Sequence, residues 1–395
     1  MAVATDSAQQ IEQFRPILEQ NRKPLWDYIK KNYISNAKFL DFGNNCVLFQ
    51  SDEDLDITEI IEQKPELKSY FTSRYPCLLN GCDYAVMTRE GSAVVVGAGA
   101  SGKVMCAQEK CIASESVSGG SIPSGSISSG SISSGSNSIQ HVAKEHKSSQ
   151  LVAVKIIECK DHLKEEEMDE ETFSVLHEIL NEFKFQEKAH SILKNSVCRV
   201  PKPKGFLHLK THSMWNEYFR YMIVSEYCSV LPDVPISLDL ETALTFEHSK
   251  NSLLSKPEWK EVTLALIDAA ELFQRNDIYH IDLKPKNIML QFCEEGKSVY
   301  PSIIDFGLAS NSLNWYGGLT ENKDKYQWID PVLFQGQGHP HPTTDLYSLA
   351  CTISLISHEF QLHALETIMQ NYALLQPNDR PGHRQFRDIV NRYFN

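Results

Sequence analysis

The sequence predicts an α+β chain, and three observations carry that expectation. A β-branched run at residues 91–96 leads through a cluster of glycines into a continuing strand, and residues 151–157 form a second apolar strand. Phe173, Leu176, Leu180 and Phe183 recur at helical spacing and mark a helix over 170–189. A further helical stretch covers 259–276. At 395 residues the chain is long enough for about two or three domains. Its 38 Lys and Arg against 51 Asp and Glu leave a net charge of −13. That balance excludes a nucleic-acid-binding body, which needs an electropositive footprint. An apolar fraction of 42% excludes global disorder. No apolar run approaches the ~20 residues that span a bilayer, and the start MAVATDSAQQ carries no signal pattern. Ten scattered cysteines do not make a disulfide framework. These features describe a soluble, acidic, intracellular protein with reduced thiols.

Taken in order, residues 1–87 read as a helical N-terminal extension. Ile11, Phe14, Ile17 and Leu18 fall on one stripe, Ile57, Ile60, Ile61 and Leu67 on another, and Pro24 suits a first helical turn. No chemistry is evident there, and Asp41, Phe42 and Gly43 are a chance tripeptide in a turn. Residues 114–149 form a disordered Ser/Gly-rich insert, with SIPSG and SISSG repeating at period five from Ser121. The acidic run at 165–171 opens the next helix, where negative charge complements the macrodipole.

The chemistry begins with Gly97, Ala98, Gly99, Ala100, Ser101 and Gly102, followed by Val104, a G-x-G-x-x-G-x-V pattern. Glycines at this spacing let backbone N–H groups approach phosphate oxygens. A dinucleotide fold would need a helix at once and an acid about 20 residues on; a strand and then the Ser/Gly repeat follow instead. A P-loop would need a hydroxyl where Val104 stands. The pattern is left as a flap between antiparallel strands, with Val104 against a nucleotide base. Residues 151–157 then read LVAVKII, with Ala153 small enough to lie on a flat base and Lys155 placed for phosphates.

From this point the chain resembles the eukaryotic-type protein kinases, in order to its C-terminus. The resemblance implies a bilobal protein-kinase-like α+β fold, with a small β-rich N-lobe (about 88–226) and a mainly helical, shortened C-lobe (about 229–395). Glu178 and Glu182 share a helix face; the family pairs one such Glu with the strand lysine, and His190 downstream favours Glu182. Gln186 stands where the family has an apolar residue. MIVSEYC at 222–228 resembles the hinge. It implies Ser225 as gatekeeper with an enlarged back pocket, and the Glu226 carbonyl and Cys228 N–H on the adenine edge, with Met289 beneath the base. HIDLKPKNIML from His280 resembles the catalytic loop. The resemblance gives Asp282 the substrate hydroxyl proton, Lys284 the transferring phosphoryl, and Asn287 a metal; His280 is a packing residue. Asp305, in Asp305, Phe306 and Gly307, is the second metal ligand. ATP and Mg2+ (or Mn2+) are the implied substrate and ion. Asp345 resembles the family's brace for the catalytic loop, and Arg380 its late arginine.

Departures refine the expectation. Ile281 replaces the Arg that meets a phosphorylated activation loop, which implies activity independent of phosphorylation between Ala309 and Ile329. Val332 cannot pair with Arg380, leaving Asp330 as the alternative partner. Trp328 stands where tyrosine kinases carry a Trp, whereas Lys284 and Pro285 are a Ser/Thr-kinase signature, so Ser/Thr transfer is expected. The stretch 345–380 is short and lacks a G helix. Compact kinases without that Arg are similar to those of viruses and pathogenic bacteria, so delivery as a secreted effector stays open beside a cytoplasmic or nuclear setting. Cys77 with Cys82, and Cys106 with Cys111, sit at the limit of zinc spacing and are not read as a zinc site. The expected partners are ATP and protein substrates, basic ones suiting the acidic body, with no nucleic acid and no membrane span. The rivals are a pseudokinase scaffold and a kinase-like small-molecule phosphotransferase.

Overall fold

The strands expected around the glycine cluster are the centre of an antiparallel sheet in the computed structural model. It describes residues 12–31, 47–49, 83–86, 88–89, 92–93, 95–99, 102–110, 151–158, 170–212, 217–232, 234–248, 252–293, 296–313, 326–334 and 338–394. Among them the sheet has the order β1 (Val47–Phe49), β2 (Asp83–Val86), β6 (Gly102–Lys110), β7 (Leu151–Glu158), β9 (Glu217–Glu226), β8 (Pro203–His212), with β5 (Val95–Gly99) also on β6. A small hairpin, β3 (Thr88–Arg89) and β4 (Ser92–Ala93), lies between β2 and β5 in the chain. Alternation in β7 buries Val152, Val154 and Ile156. The Ser/Gly repeat, the second N-terminal stripe and Asp41 to Gly43 lie outside the described residues.

Two helices fill the start of the chain, α1 (Arg15–Asn21) and α2 (Lys23–Ile29), with Pro16 and Pro24 in their first turns. The stretch expected to be helical also supplies β1 and β2, which pair with each other, β2 pairing in turn with the far end of β6. Three- and four-residue runs such as VLF and DYAV are too short for a strand period to show.

Helix α3 (Glu170–Leu193) lies between the sheet and the helical lobe. It buries Phe183, Phe185, Ala189 and Leu193. Gln186, the departure from apolar character, is buried too, and its amide donates to the Pro201 carbonyl at 3.0 Å. One good acceptor removes most of the cost of burying that group. The helical lobe comprises α4 (Leu240–His248), α5 (Lys256–Arg275), α6 (Thr344–Glu359), α7 (His363–Leu374) and α8 (His383–Tyr393), with the hairpin β10 (Ile288–Phe292) and β11 (Val299–Ile303). A capping box of Ser255 and Glu258 starts α5. Its Trp259, Val262, Leu266, Ala270 and Phe273 then recur on one buried face. Helix α6 is buried nearly all round, as suits the central helix of the lobe. No helix among the described residues is long and apolar enough to cross a membrane.

The N-terminal helices belong to this core: Leu18, Leu25 and Ile29 are fully buried in the same cluster as Trp259 and Phe273. Arg22, at the break between α1 and α2, fixes them there. Its guanidinium donates to the carbonyls of Gly296 and Leu253, each at 2.7 Å, pairs with Glu258 and lies over the Phe292 ring. Leu18 packs so closely on Gly296 that a Cβ there would lie 2.8 Å from its Cδ2, and Gly296 has a φ of 64°. Arg22→Met should lower stability by about 2–4 kcal/mol, because it removes the cation that pairs with Glu258 and the donor to the Gly296 carbonyl in a mostly buried socket. Thermal unfolding measures this, and an unchanged melting temperature would contradict the docking.

Candidate active site

The flap takes the hairpin form expected of it. β5 and β6 pair with Gly97 opposite Val104, Ala98 opposite Lys103 and Gly99 opposite Gly102. Ala100 and Ser101 at its tip lie outside the described residues. Gly102 has a φ of 131°, a conformation closed to other residues without strain. Across the sheet Val104 sits opposite Lys155, and Ala153 lies between Cys106 and Ser225. Glu226 ends β9, Cys228 is buried two residues on, and Met289 is buried in β10. The chain beyond β9 runs against β10, with Asp239 bridged to Met289 and the Leu290 N–H donating to Leu238. Of the residues expected at a nucleotide, Glu226 and Cys228 thus lie where the chain leaves the sheet, and Met289 lies on the strand beside that segment.

Three charged groups from three elements meet at Lys155. Its ammonium donates to both Glu182 carboxylate oxygens, at 2.7 and 2.9 Å, and to Asp305 Oδ1 at 2.7 Å. Burial alone would lower the lysine's pKa, but the two carboxylates overcome it and hold the group protonated. Burial likewise works against the Asp305 carboxylate, and Lys155 keeps it below its usual range. Glu182 is thus the helix acid that reaches Lys155; the Glu178 side chain lies outside the described residues. Gly307 allows the approach. A Cβ there would lie 3.3 Å from Asp305 Oδ1 and 3.5 Å from Glu182 Oε2.

The second cluster is the loop between α5 and β10. Lys284 Nζ donates to Asp282 Oδ2 at 2.5 Å, and Asn287 Nδ2 donates to the same oxygen at 3.1 Å and to the Asp282 carbonyl at 2.9 Å. Burial raises the Asp282 pKa against these donors. The Ile304 N–H donates to the Asn287 carbonyl, which sets Asp305 beside the loop. From below, α6 holds the loop by side chain to backbone bonds. Asp345 accepts the N–H groups of His280 and Ile281 at 3.0 and 2.8 Å, the Ser348 hydroxyl is shared between the carbonyls of Trp328 at 2.7 Å and Ile281 at 3.1 Å, and Thr352 donates to that of Leu283. Burial pushes the Asp345 carboxyl up to about 6, opposed by the two N–H groups. Ser348 falls in the segment 345–350 that resembles the family's, whereas Thr352 carried no sequence signal beyond being polar on an apolar helix.

Both departures from the family pattern are accommodated. Ile281 is fully buried at a φ of 73°, rare for a β-branched residue, and it clusters with Tyr279, Ile329 and Leu333. Asp305, at a φ of 63°, is an easier occupant of the same region. Asp330 takes the place that Val332 cannot fill: its carboxylate receives both terminal nitrogens of Arg380, one at 2.9 Å, with both side chains almost wholly buried. Cys106 is buried in the sheet, and among the described residues no group of His, Cys, Asp and Glu could hold a metal ion by itself.

His280 is part of the packing, as expected. Its ring lies 4.7 Å from that of Phe306, and Nε2 meets the Ile304 carbonyl at 3.0 Å. Burial pushes its pKa down to about 4 from 6.5. As pH falls through that window the unfolded chain takes up a proton that the folded chain does not. Stability present above about pH 6.5 is therefore lost toward pH 4, by up to about 3 kcal/mol. Denaturant midpoints at pH 7 and 4.5 should fall less for His280→Gln than for the wild type; equal losses would refute this.

Residues 128–376 match the protein kinase domain family. Similar proteins include serine/threonine-protein kinase ksp1 of Schizosaccharomyces pombe, 33% identical over 143 residues, which are 34% of this chain and 27% of that protein. A second is the membrane-associated tyrosine- and threonine-specific cdc2-inhibitory kinase wee-1.3 of Caenorhabditis elegans, 26% identical over 42% of this chain and 22% of the relative. A third is serine/threonine-protein kinase fused of Drosophila melanogaster, 31% identical over 29% of this chain and 13% of the relative. The chain thus spans about a quarter or less of the length of these relatives. With more than half of its length matched and a two-lobed α+β architecture around the site described above, the chain belongs to the protein kinase domain family.

Proposed function

We propose that this protein kinase transfers the γ-phosphoryl group of Mg-ATP to Ser and Thr hydroxyls of protein substrates, without control by activation-loop phosphorylation. The observation that carries the proposal is the contact of Lys155 with both Glu182 and Asp305, beside the cluster of Asp282, Lys284 and Asn287. Val104, Ala153 and Met289 enclose the base, the Glu226 carbonyl and Cys228 N–H meet its edge, and Ser225 leaves space behind it. The flap amides from Gly97 to Gly102 and the Lys155 ammonium hold the phosphates. Asn287 donates its amide nitrogen to Asp282, leaving its oxygen available, and Asp305 commits one oxygen to Lys155. These hard oxygen donors suit Mg2+ or Mn2+, which keeps phosphate and water in its other positions. When bound, the ion neutralises charge on the phosphates. Asp282 orients the substrate hydroxyl and accepts its proton, and Lys284 balances the charge of the transferring group.

Lys284 and Pro285 support Ser/Thr transfer, as do the names of two of the relatives, although a third acts on tyrosine and threonine. Independence from phosphorylation is supported by the buried cluster around Ile281 and by the pair of Asp330 and Arg380, which tether residues 326–334 without a phosphate. Free thiols at Cys106, Cys198, Cys228, Cys293 and Cys351 support an intracellular setting. The test is transfer from labelled ATP to basic and acidic generic substrates, followed by phosphoamino-acid analysis. Phosphoserine and phosphothreonine should form on the basic substrate, stop with a chelator and persist after phosphatase treatment of the kinase. Asp282→Ala and Lys155→Met should lose at least about 100-fold. Activity surviving in both variants would overturn the mechanism, and activity abolished by phosphatase would overturn the claim of independence.

A further inference from the structure

Helices α1 and α2 lie outside the stretch that matches the kinase family, yet they reach the segment that joins the two lobes. The described residues of that segment, 227–232 and 234–239, form no helix or strand beyond isolated bonds to β10. The Phe292 N–H donates to Val230, the Leu290 N–H to Leu238, and the Val230 N–H folds back on Ile236 at 2.7 Å. Its inner side is therefore held by the strand that carries Met289. On its outer side, the Tyr28 hydroxyl of α2 donates to the Ser237 carbonyl at 2.7 Å. The Tyr28 ring meets Phe246 of α4 edge to face, with centroids 5.4 Å apart. The ring is buried, so the bond is shielded from competing water. At the other end of α2, where it meets α1, the Arg22 socket fixes both helices to the turn between β10 and β11 and to the start of α5.

We infer that Tyr28 is a positioning residue for the nucleotide, holding the interlobe segment against β10 so that the hinge groups are in place before ATP arrives. The inference rests on the reading of Glu226, Cys228 and Met289 as the adenine site. An unanchored segment would populate other conformations, and apparent affinity falls in proportion to the competent fraction. The N-terminal helices are then a built-in determinant of nucleotide affinity, supplied by the N-terminal extension.

Calorimetric titration with Mg-ADP, together with steady-state kinetics, tests this. Tyr28→Phe keeps the ring and its packing and removes only the donor. It should weaken Mg-ADP binding and raise KM for ATP by about three- to tenfold, with kcat essentially unchanged. Amides of residues 230–238 should exchange hydrogen faster in this variant, while Arg15→Ala on α1, an exposed position, should match the wild type throughout. Unchanged nucleotide affinity in Tyr28→Phe would overturn the inference and leave the kinase reading intact. A fall in kcat and melting temperature with no change in KM would also overturn it, assigning Tyr28 a purely structural part. Wild-type protein that binds no Mg-ADP would sink the kinase reading and this inference with it.

Discussion

An ammonium group taken out of water between two carboxylates is the interaction on which the rest of the active site depends. Lys155 comes from the middle of a strand, Glu182 from a helix and Asp305 from the loop after a hairpin of the other lobe. Removing Lys155 would leave two buried carboxylates uncompensated, which costs several kcal/mol, whereas removing either acid would loosen one element from the lysine. The three elements are therefore held in one relative arrangement by the attraction of two acids to one cation, a local balance from which the flap, hinge and catalytic loop take their places. The same balance resolves the apparent conflict between a chain of net charge −13 and a polyanionic substrate. What matters at the phosphates is the local field of Lys155, Lys284 and backbone amides, because distant surface charges are screened within about 10 Å.

The catalytic loop is secured differently, by neutral and singly charged contacts from a buried helix. Asp345, Ser348 and Thr352 of α6 satisfy backbone groups of residues 280, 281 and 283. This support helps explain how Ile281 persists at a positive φ, a strain on the order of 1–3 kcal/mol. Two bonds fix its peptide groups while its side chain gains a fully buried apolar site. A charged side chain there would have to find an anion; the isoleucine finds Ile329 and Leu333 instead. The acid that meets Arg380 has moved two positions along the chain, from 332 to 330, and the bidentate geometry survives the move.

Much of the site was legible in the sequence because phosphoryl chemistry restricts residue type and spacing together, as with Asp282, Lys284 and Asn287 within six residues. The choice between Glu178 and Glu182 was harder. Both lie on one helix face, and only the height of α3 against β7 decides which reaches Lys155. That the N-terminal helices cap the next domain was legible, but where α1 and α2 dock was not. An amphipathic stripe shows that Leu18 and Ile29 are buried, but not against what, and the partners of Arg22 lie more than 230 residues away. Strands β1 and β2 escaped because so few residues carry no period. Tyr28 gave no signal either, since a tyrosine on an apolar helix face is ordinarily core.

The central claim is that the Glu182 carboxylate holds Lys155 for phosphate binding and so assembles the site. The rate of phosphoryl transfer by Glu182→Gln, beside Glu178→Gln one turn earlier, tests it most directly. The account predicts a loss of at least about tenfold for Glu182→Gln, with Glu178→Gln close to the wild type. Full activity in Glu182→Gln, or a loss confined to Glu178→Gln, would contradict it.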